Sequence, residues 1–178
     1  MFFYISSNLN LLASWIDSIY RYILCGMFIK AVTDALNNAN ITYALVGGYA
    51  VALHGAVRGT IDLDFVIALE QTQYENVENA LIGIGLVPRL PISAKDVFQF
   101  REEYIEKRNL IAWSFINQAN PLEVVDIIIT HDAKKMQTKT LLTDGMTIQI
   151  ATKDELIKMK KASGRPQDLA DVDALEKL

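Results

Sequence analysis

Cysteine is almost missing: Cys25 is the only one in 178 residues. No internal disulfide framework can therefore support the fold, and a reducing compartment, the cytoplasm, is the expectation. Histidine is scarce as well. His54 and His131, with one cysteine, are too few and too scattered for a structural zinc site, so any metal has to be held by carboxylates. Positive charge is not in excess: 17 Lys and Arg against 21 Asp and Glu give −4, the wrong sign for indiscriminate coating of nucleic-acid backbone. A local basic patch stays compatible with that balance. There is also no uninterrupted apolar run of membrane-spanning length, since Asp17 and Arg21 break the best one, and no membrane association is expected. The sequence has no internal repeat and no low-complexity linker. What is present, 51% hydrophobic and 21% charged residues, is the composition of a domain able to bury a sizeable core.

Residues 1–26 differ from the rest, with no lysine, one arginine and one aspartate. The absence of a basic leader and the two internal charges argue against a secretory signal. Leu9, Leu12, Ile16, Ile19, Ile23 and Met27 recur at helical spacing, which predicts an amphipathic helix closed by Gly26. Two readings stand side by side. Residues 1–26 are an extension that packs on the domain or on a second copy, or translation starts at Met27, because residues 27–178 read as a self-sufficient domain.

Within 27–178, Ile29, Val32, Leu36 and Ala39 mark a helix over 28–39 before a strand at Ile41–Val46. Gly47-Gly48 breaks that strand, a short buried helix follows, and a second strand runs from Ile61 with Asp62 and Asp64 on one face and Leu63 and Phe65 on the other. A helix over 71–84 comes next, and 96–107 is ambiguous. Strands are predicted at 110–116 and 122–130, joined by a tight connection, and a fifth at 146–150 after the Asp144-Gly145 turn. Thr152 with Glu155 forms a capping signature for a helix closed by Gly164, and Pro166 opens the last helix. The expectation is one α/β domain with about five strands flanked by helices.

Three acids stand out. Asp62 and Asp64 project from one face of an otherwise apolar strand with no interleaved cation, and Asp126 is alone within VVDIII. A buried carboxylate without a partner costs several kcal/mol. A divalent cation converts that repulsion into attraction. Three acids on two adjacent strands suit two Mg²⁺, or Mn²⁺, roughly 3.5–4 Å apart, the arrangement that assists in-line phosphoryl displacement. The plainer reading is a D-x-D at an exposed strand end and a hydrogen-bonded Asp126. Gly47-Gly48, between strand and helix, offers free backbone N–H groups to a phosphate, or is simply a tight turn. The 14 residues from Gly48 to Asp62 leave room for one helix before the acidic strand returns, which places a triphosphate and its metals in one pocket.

Val46-Gly47-Gly48 followed by Asp62-Leu63-Asp64 resembles the nucleotidyltransferases of the DNA polymerase β superfamily. The string VGGYAVALHGAVRGTIDLDFVI and the closing IATKDELIKMKKASGRPQDLADVDAL are similar to the small bacterial branch related to abortive-infection toxins and antibiotic nucleotidyltransferases. The resemblance covers 27–178 and implies a mixed sheet with flanking helices, and Mg²⁺-dependent transfer of a nucleoside monophosphate from a nucleoside triphosphate to a hydroxyl, releasing pyrophosphate. By the same resemblance, Asp62 and Asp64 hold both metals. Asp126 completes the site as ligand and general base. Gly47 and Gly48 bind β- and γ-phosphates, with Arg58, Thr60, Lys160 and Arg165 as further phosphate contacts. His54 reads as a core histidine, and Lys153, Lys158 and Lys161 as a solvated face.

This chain departs from the family's larger members in having only two closing helices where they carry a helical acceptor domain. The acceptor, whether protein, RNA end or small molecule, is not encoded in a recognisable segment, and a homodimer or a cognate partner protein is expected to complete the cleft. The competing function is a non-catalytic nucleotide- or partner-binding module of a toxin–antitoxin type. The intact acids argue against it.

Overall fold

A computed structural model describes residues 26–178. The amphipathic helix expected upstream, and Cys25, lie outside the described residues. Gly26, expected to close that helix, is itself helical in α1, which spans 26–38. Phe28, Ile29, Val32 and Leu36 of α1 are buried, the face that the 3-and-4 spacing marks out.

The chain then runs β1 (Tyr43–Val46), α2 (Gly47–Leu53), β2 (Leu63–Ile67), α3 (Gln71–Gly83), β3 (Leu86–Pro88), α4 (Ala94–Gln99), α5 (Arg101–Arg108), β4 (Ala112–Asn117), β5 (Val124–Ile128), a 3₁₀ turn (Ala133–Lys135), β6 (Thr138–Thr143), β7 (Met146–Ala151), α6 (Lys153–Ser163) and α7 (Pro166–Glu176). One mixed sheet has the order β3-β4-β5-β2-β1-β7-β6. β1 is antiparallel to β2 and parallel to β7, and β2 is parallel to β5.

Seven strands replace the expected five. The two additions, β3 and β6, are the outer strands of the sheet. An edge strand does not need apolar residues on both faces and tolerates proline, which is why Leu86–Pro88 and the largely exposed TKTLLT of β6 escape a search for hydrophobic alternation. The ambiguous 96–107 stretch resolves into α4 and α5. Ser93 caps α4 in a reciprocal box with Asp96, and Asn109, in the left-handed region, ends α5.

Central strands carry the core. Leu63, Phe65, Val66 and Ile67 of β2 are all buried, as are Trp113 and Phe115 of β4. Trp113 meets Phe115 edge-on at 4.6 Å and stacks with Tyr74 of α3 at 6.3 Å, so helix and sheet are joined through large aromatic surfaces. Among the described residues no helix is long and apolar enough to cross a membrane.

Candidate active site

Strand register brings the acids together. Asp64 of β2 lies opposite Val46 of β1 on one side and opposite Asp126 of β5 on the other, and Asp126 lies opposite Ser114 of β4. Two carboxylates far apart in sequence thus occupy neighbouring places in one row across four strands. Asp62 stands just before β2 begins and is exposed, whereas Asp64 is half-buried.

Gly47 shows why this row needs glycine where the first strand ends. It sits at φ +67°, and a Cβ added there would fall 1.8 Å from Asp64 Oδ2. No side chain fits, so the Asp64 carboxylate lies directly against the backbone of the turn. A Cβ on Gly48 would come 2.8 Å from the Thr60 side chain. Thr60 therefore packs on the same turn, and the segment before the acidic strand is laid on the glycines.

The electrostatics follow from this crowding. Burial first, then the charges of Asp126 and Asp62, push the Asp64 carboxyl up to about 6, against the pull of Lys160 and Arg165. Burial also raises Asp126; a hydrogen bond from the Ser114 side chain draws it back, Asp62 raises it again, and Arg89 lowers it. Asp126 Oδ1 is nevertheless buried with no hydrogen-bond partner, the orphaned acceptor that an approaching cation or proton would satisfy. An all-carboxylate donor set with such an oxygen matches the chemistry of a hard divalent ion. Among the described residues, no three acidic, histidine or cysteine side chains stand close enough to enclose a metal as they are placed. The acids are coupled by charge without being gathered into a coordination shell.

Basic residues named from the sequence meet at α7. Lys160 is buried, 2.9 Å from Asp168 and 2.8 Å from Asp171. Arg165 pairs with Asp168 at 2.6 Å, and Arg58 with Asp171 at 3.1 Å. Burial works to raise Asp168, but the hydrogen bonds from Arg165 and Lys160 prevail and hold it far below the ordinary carboxylate range. Four neighbours of the site were not singled out from the sequence: Ser114, Arg89, Asp168 and Asp171. The pattern D-x-x-D on one helical face was a readable signal for the last two; Ser114 and Arg89 are recognisable only once strand register is known. His54 donates from Nε2 to the Ala151 carbonyl, 2.9 Å away, and its burial lowers its pKa. Cavities of about 340 and 620 Å³ lie at the other end of β2, around Leu69 and Arg101, rather than at the acids.

No family model and no curated protein matches the chain. Solved structures do. An antigenic nucleotidyltransferase-like protein from Paracoccidioides brasiliensis superposes with a TM-score of 0.54 at 17% identity, over 83% of this chain and 73% of its own. The antibiotic-resistance factor ANT(2″)-Ia superposes with a TM-score of 0.56 at 11% identity, over 84% of this chain and 80% of its own. The same factor in complex with adenylyl-2″-tobramycin gives 0.54 at 12% identity, over 84% and 86%. The chain thus shares the fold of these solved structures, a nucleotidyltransferase-like protein among them.

Proposed function

We propose that this protein is a metal-dependent nucleotidyltransferase, moving a nucleoside monophosphate from a nucleoside triphosphate to a hydroxyl acceptor. The observation that carries the reading is the pairing of Asp64 with Asp126 across adjacent parallel strands, with the Asp64 carboxylate pressed against Gly47. Nothing about folding calls for two neighbouring carboxylates in the middle of a sheet, where each raises the other's cost. The fold shared with ANT(2″)-Ia, solved with adenylyl-2″-tobramycin, supports nucleotidyl transfer as the reaction class and leaves the acceptor open.

Asp62, Asp64 and Asp126 would hold Mg²⁺ or Mn²⁺. When bound, the ions supply Lewis-acid polarisation of the α-phosphate and a more acidic acceptor hydroxyl. This chain's own groups do the rest. Gly47 and Gly48, lacking side chains, would let the β- and γ-phosphates approach the turn on which Thr60 packs, with Arg58 and Arg165 as the cations that would meet them. Asp126, whose Oδ1 has no other partner, accepts the acceptor's hydroxyl proton as its oxygen bonds to the α-phosphorus. The bond from that phosphorus to the β-phosphate oxygen breaks, and pyrophosphate leaves.

The test is incubation of the chain with Mg²⁺, α-phosphate-labelled ATP, GTP, CTP or UTP, and a lysate as acceptor source. Transfer of label is expected with at least one nucleotide, reduced by about 10³-fold or more in Asp64→Asn. Absence of labelled product with every nucleotide would favour the binding-module reading instead.

A further inference from the structure

Asp168 and Asp171 lie one helical turn apart on α7, and their side chains are only 1% and 3% exposed. Buried carboxylates need compensation, and cations from three segments converge on them. Lys160, on α6 and itself 9% exposed, bridges both carboxylates. Arg165, at the start of α7, places Nε 2.6 Å from Asp168 Oδ2 and Nη2 3.3 Å from Oδ1. Arg58, between α2 and β2, places Nε 3.1 Å from Asp171 Oδ1 and donates from Nη1 to the Gly59 carbonyl. Three cations against two carboxylates leave positive charge in excess.

The two arginines are held in a particular way. A guanidinium carries five N–H donors in one rigid plane; Arg165 hydrogen-bonds Asp168 through Nε and Nη2, whereas Arg58 meets Asp171 as an ion pair with no hydrogen bond at Nε and is tied through Nη1 to the Gly59 carbonyl. The remaining donors are therefore fixed in direction without being used up. Arg165 keeps 74% of its side chain exposed despite the contact, and its charge reaches Asp64. Arg58 precedes Thr60, which packs on Gly48, and Asp62 follows two residues later. Lysine 160 differs, because its ammonium is buried between its two partners.

We infer that Asp168 and Asp171 are positioning residues, Asp168 pinning the Nε edge of Arg165 and Asp171 holding Arg58 by charge, so that the free N–H groups of the two arginines form a prealigned anion-binding pair flanking the acidic strand. Lys160 is the internal counter-ion lying between the two carboxylates, not a phosphate contact. That the anion is a nucleoside triphosphate rests on the function proposed above.

Tripolyphosphate is the probe, because it carries the triphosphate charge without base or sugar. Its affinity for the full chain is measured by titration calorimetry at low salt, with the unfolding temperature recorded for each variant. Arg165→Lys keeps the charge but loses the fork, and is expected to bind about tenfold more weakly with little change in unfolding temperature, the side chain being exposed. Asp168→Asn weakens binding similarly, yet adds less than about twofold in the Arg165→Lys background, since it acts through the same fork. Should Asp168→Asn not fold, Asp168→Glu retains the charge and displaces the fork, with the same non-additive loss expected. Losses that multiply, or carboxylate variants that lower the unfolding temperature and leave affinity unchanged, overturn the inference. So does a wild-type chain that does not bind tripolyphosphate. Coupled losses in a chain that transfers no label would uphold the positioning and sink only nucleotidyl transfer.

Discussion

A single missing methyl group decides how the glycine turn and the acids share space. Gly47 combines a left-handed φ with a carboxylate oxygen where its Cβ would be, so Gly47→Ala meets both backbone strain and a clash. The expected outcome is a loss of about 2 kcal/mol or more in urea unfolding, together with at least a tenfold fall in label transfer as Asp64 is forced aside. Unchanged stability would show that the carboxylate rotates away freely. The need for glycine here was legible from the strand-to-helix break. That the constraint comes from Asp64, 17 positions later, was not, because no local pattern records an antiparallel partner.

At the level of elements, ends were more readable than edges. Thr152 accepts a hydrogen bond from Glu155 N, and Gly164 takes the left-handed conformation that closes α6, as the sequence signals, while the return half of the expected capping box is not made because Thr152 N bonds the Gln137 carbonyl instead. Thr152→Ala is expected to cost ~1 kcal/mol, measured by chemical denaturation, and to lower nucleotide transfer little, because the cap lies at the far end of α6 from Lys160. The Asp144-Gly145 turn was equally clear, with both residues at positive φ joining β6 to β7 in a two-residue hairpin. Only the strand before it was missed, for the edge reason given above. Ser93 and Asp96, not singled out from the sequence, form the capping box that marks the start of α4, within a stretch whose apolar periodicity alone is ambiguous.

For the molecule as a whole, the acids make stability depend on pH in a direction that can be worked out. The folded-state pKa of Asp64, about 6, lies above its ordinary value, so its contribution is fully present below about pH 4 and is lost as pH rises through 6. Asp168 runs the other way: held low, it contributes above the ordinary carboxylate range and loses that contribution only in strong acid. Without divalent ions, the unfolding temperature is expected to fall between about pH 4 and pH 6, and Asp64→Asn to flatten that slope. Added Mg²⁺ should raise the unfolding temperature more at about pH 7.5 than at about pH 5, because protons compete for the same oxygens. Parallel wild-type and Asp64→Asn profiles would mean that Asp64 is not the group responsible.

The sequence by itself determined which residues carry unusual chemistry: acids inside apolar strands, paired glycines at a strand end, caps and turns at helix boundaries. Each is a local conflict between a residue and its neighbours, and local conflicts are written in one dimension. Only the tertiary structure decided who faces whom. Strand order put Asp126 beside Asp64 and Ser114 beside Asp126, and the packing of α7 gave Lys160 and the two arginines buried carboxylate partners. Those pairings depend on register and on helix docking, which are set by the burial of the whole core and leave no mark on any single segment.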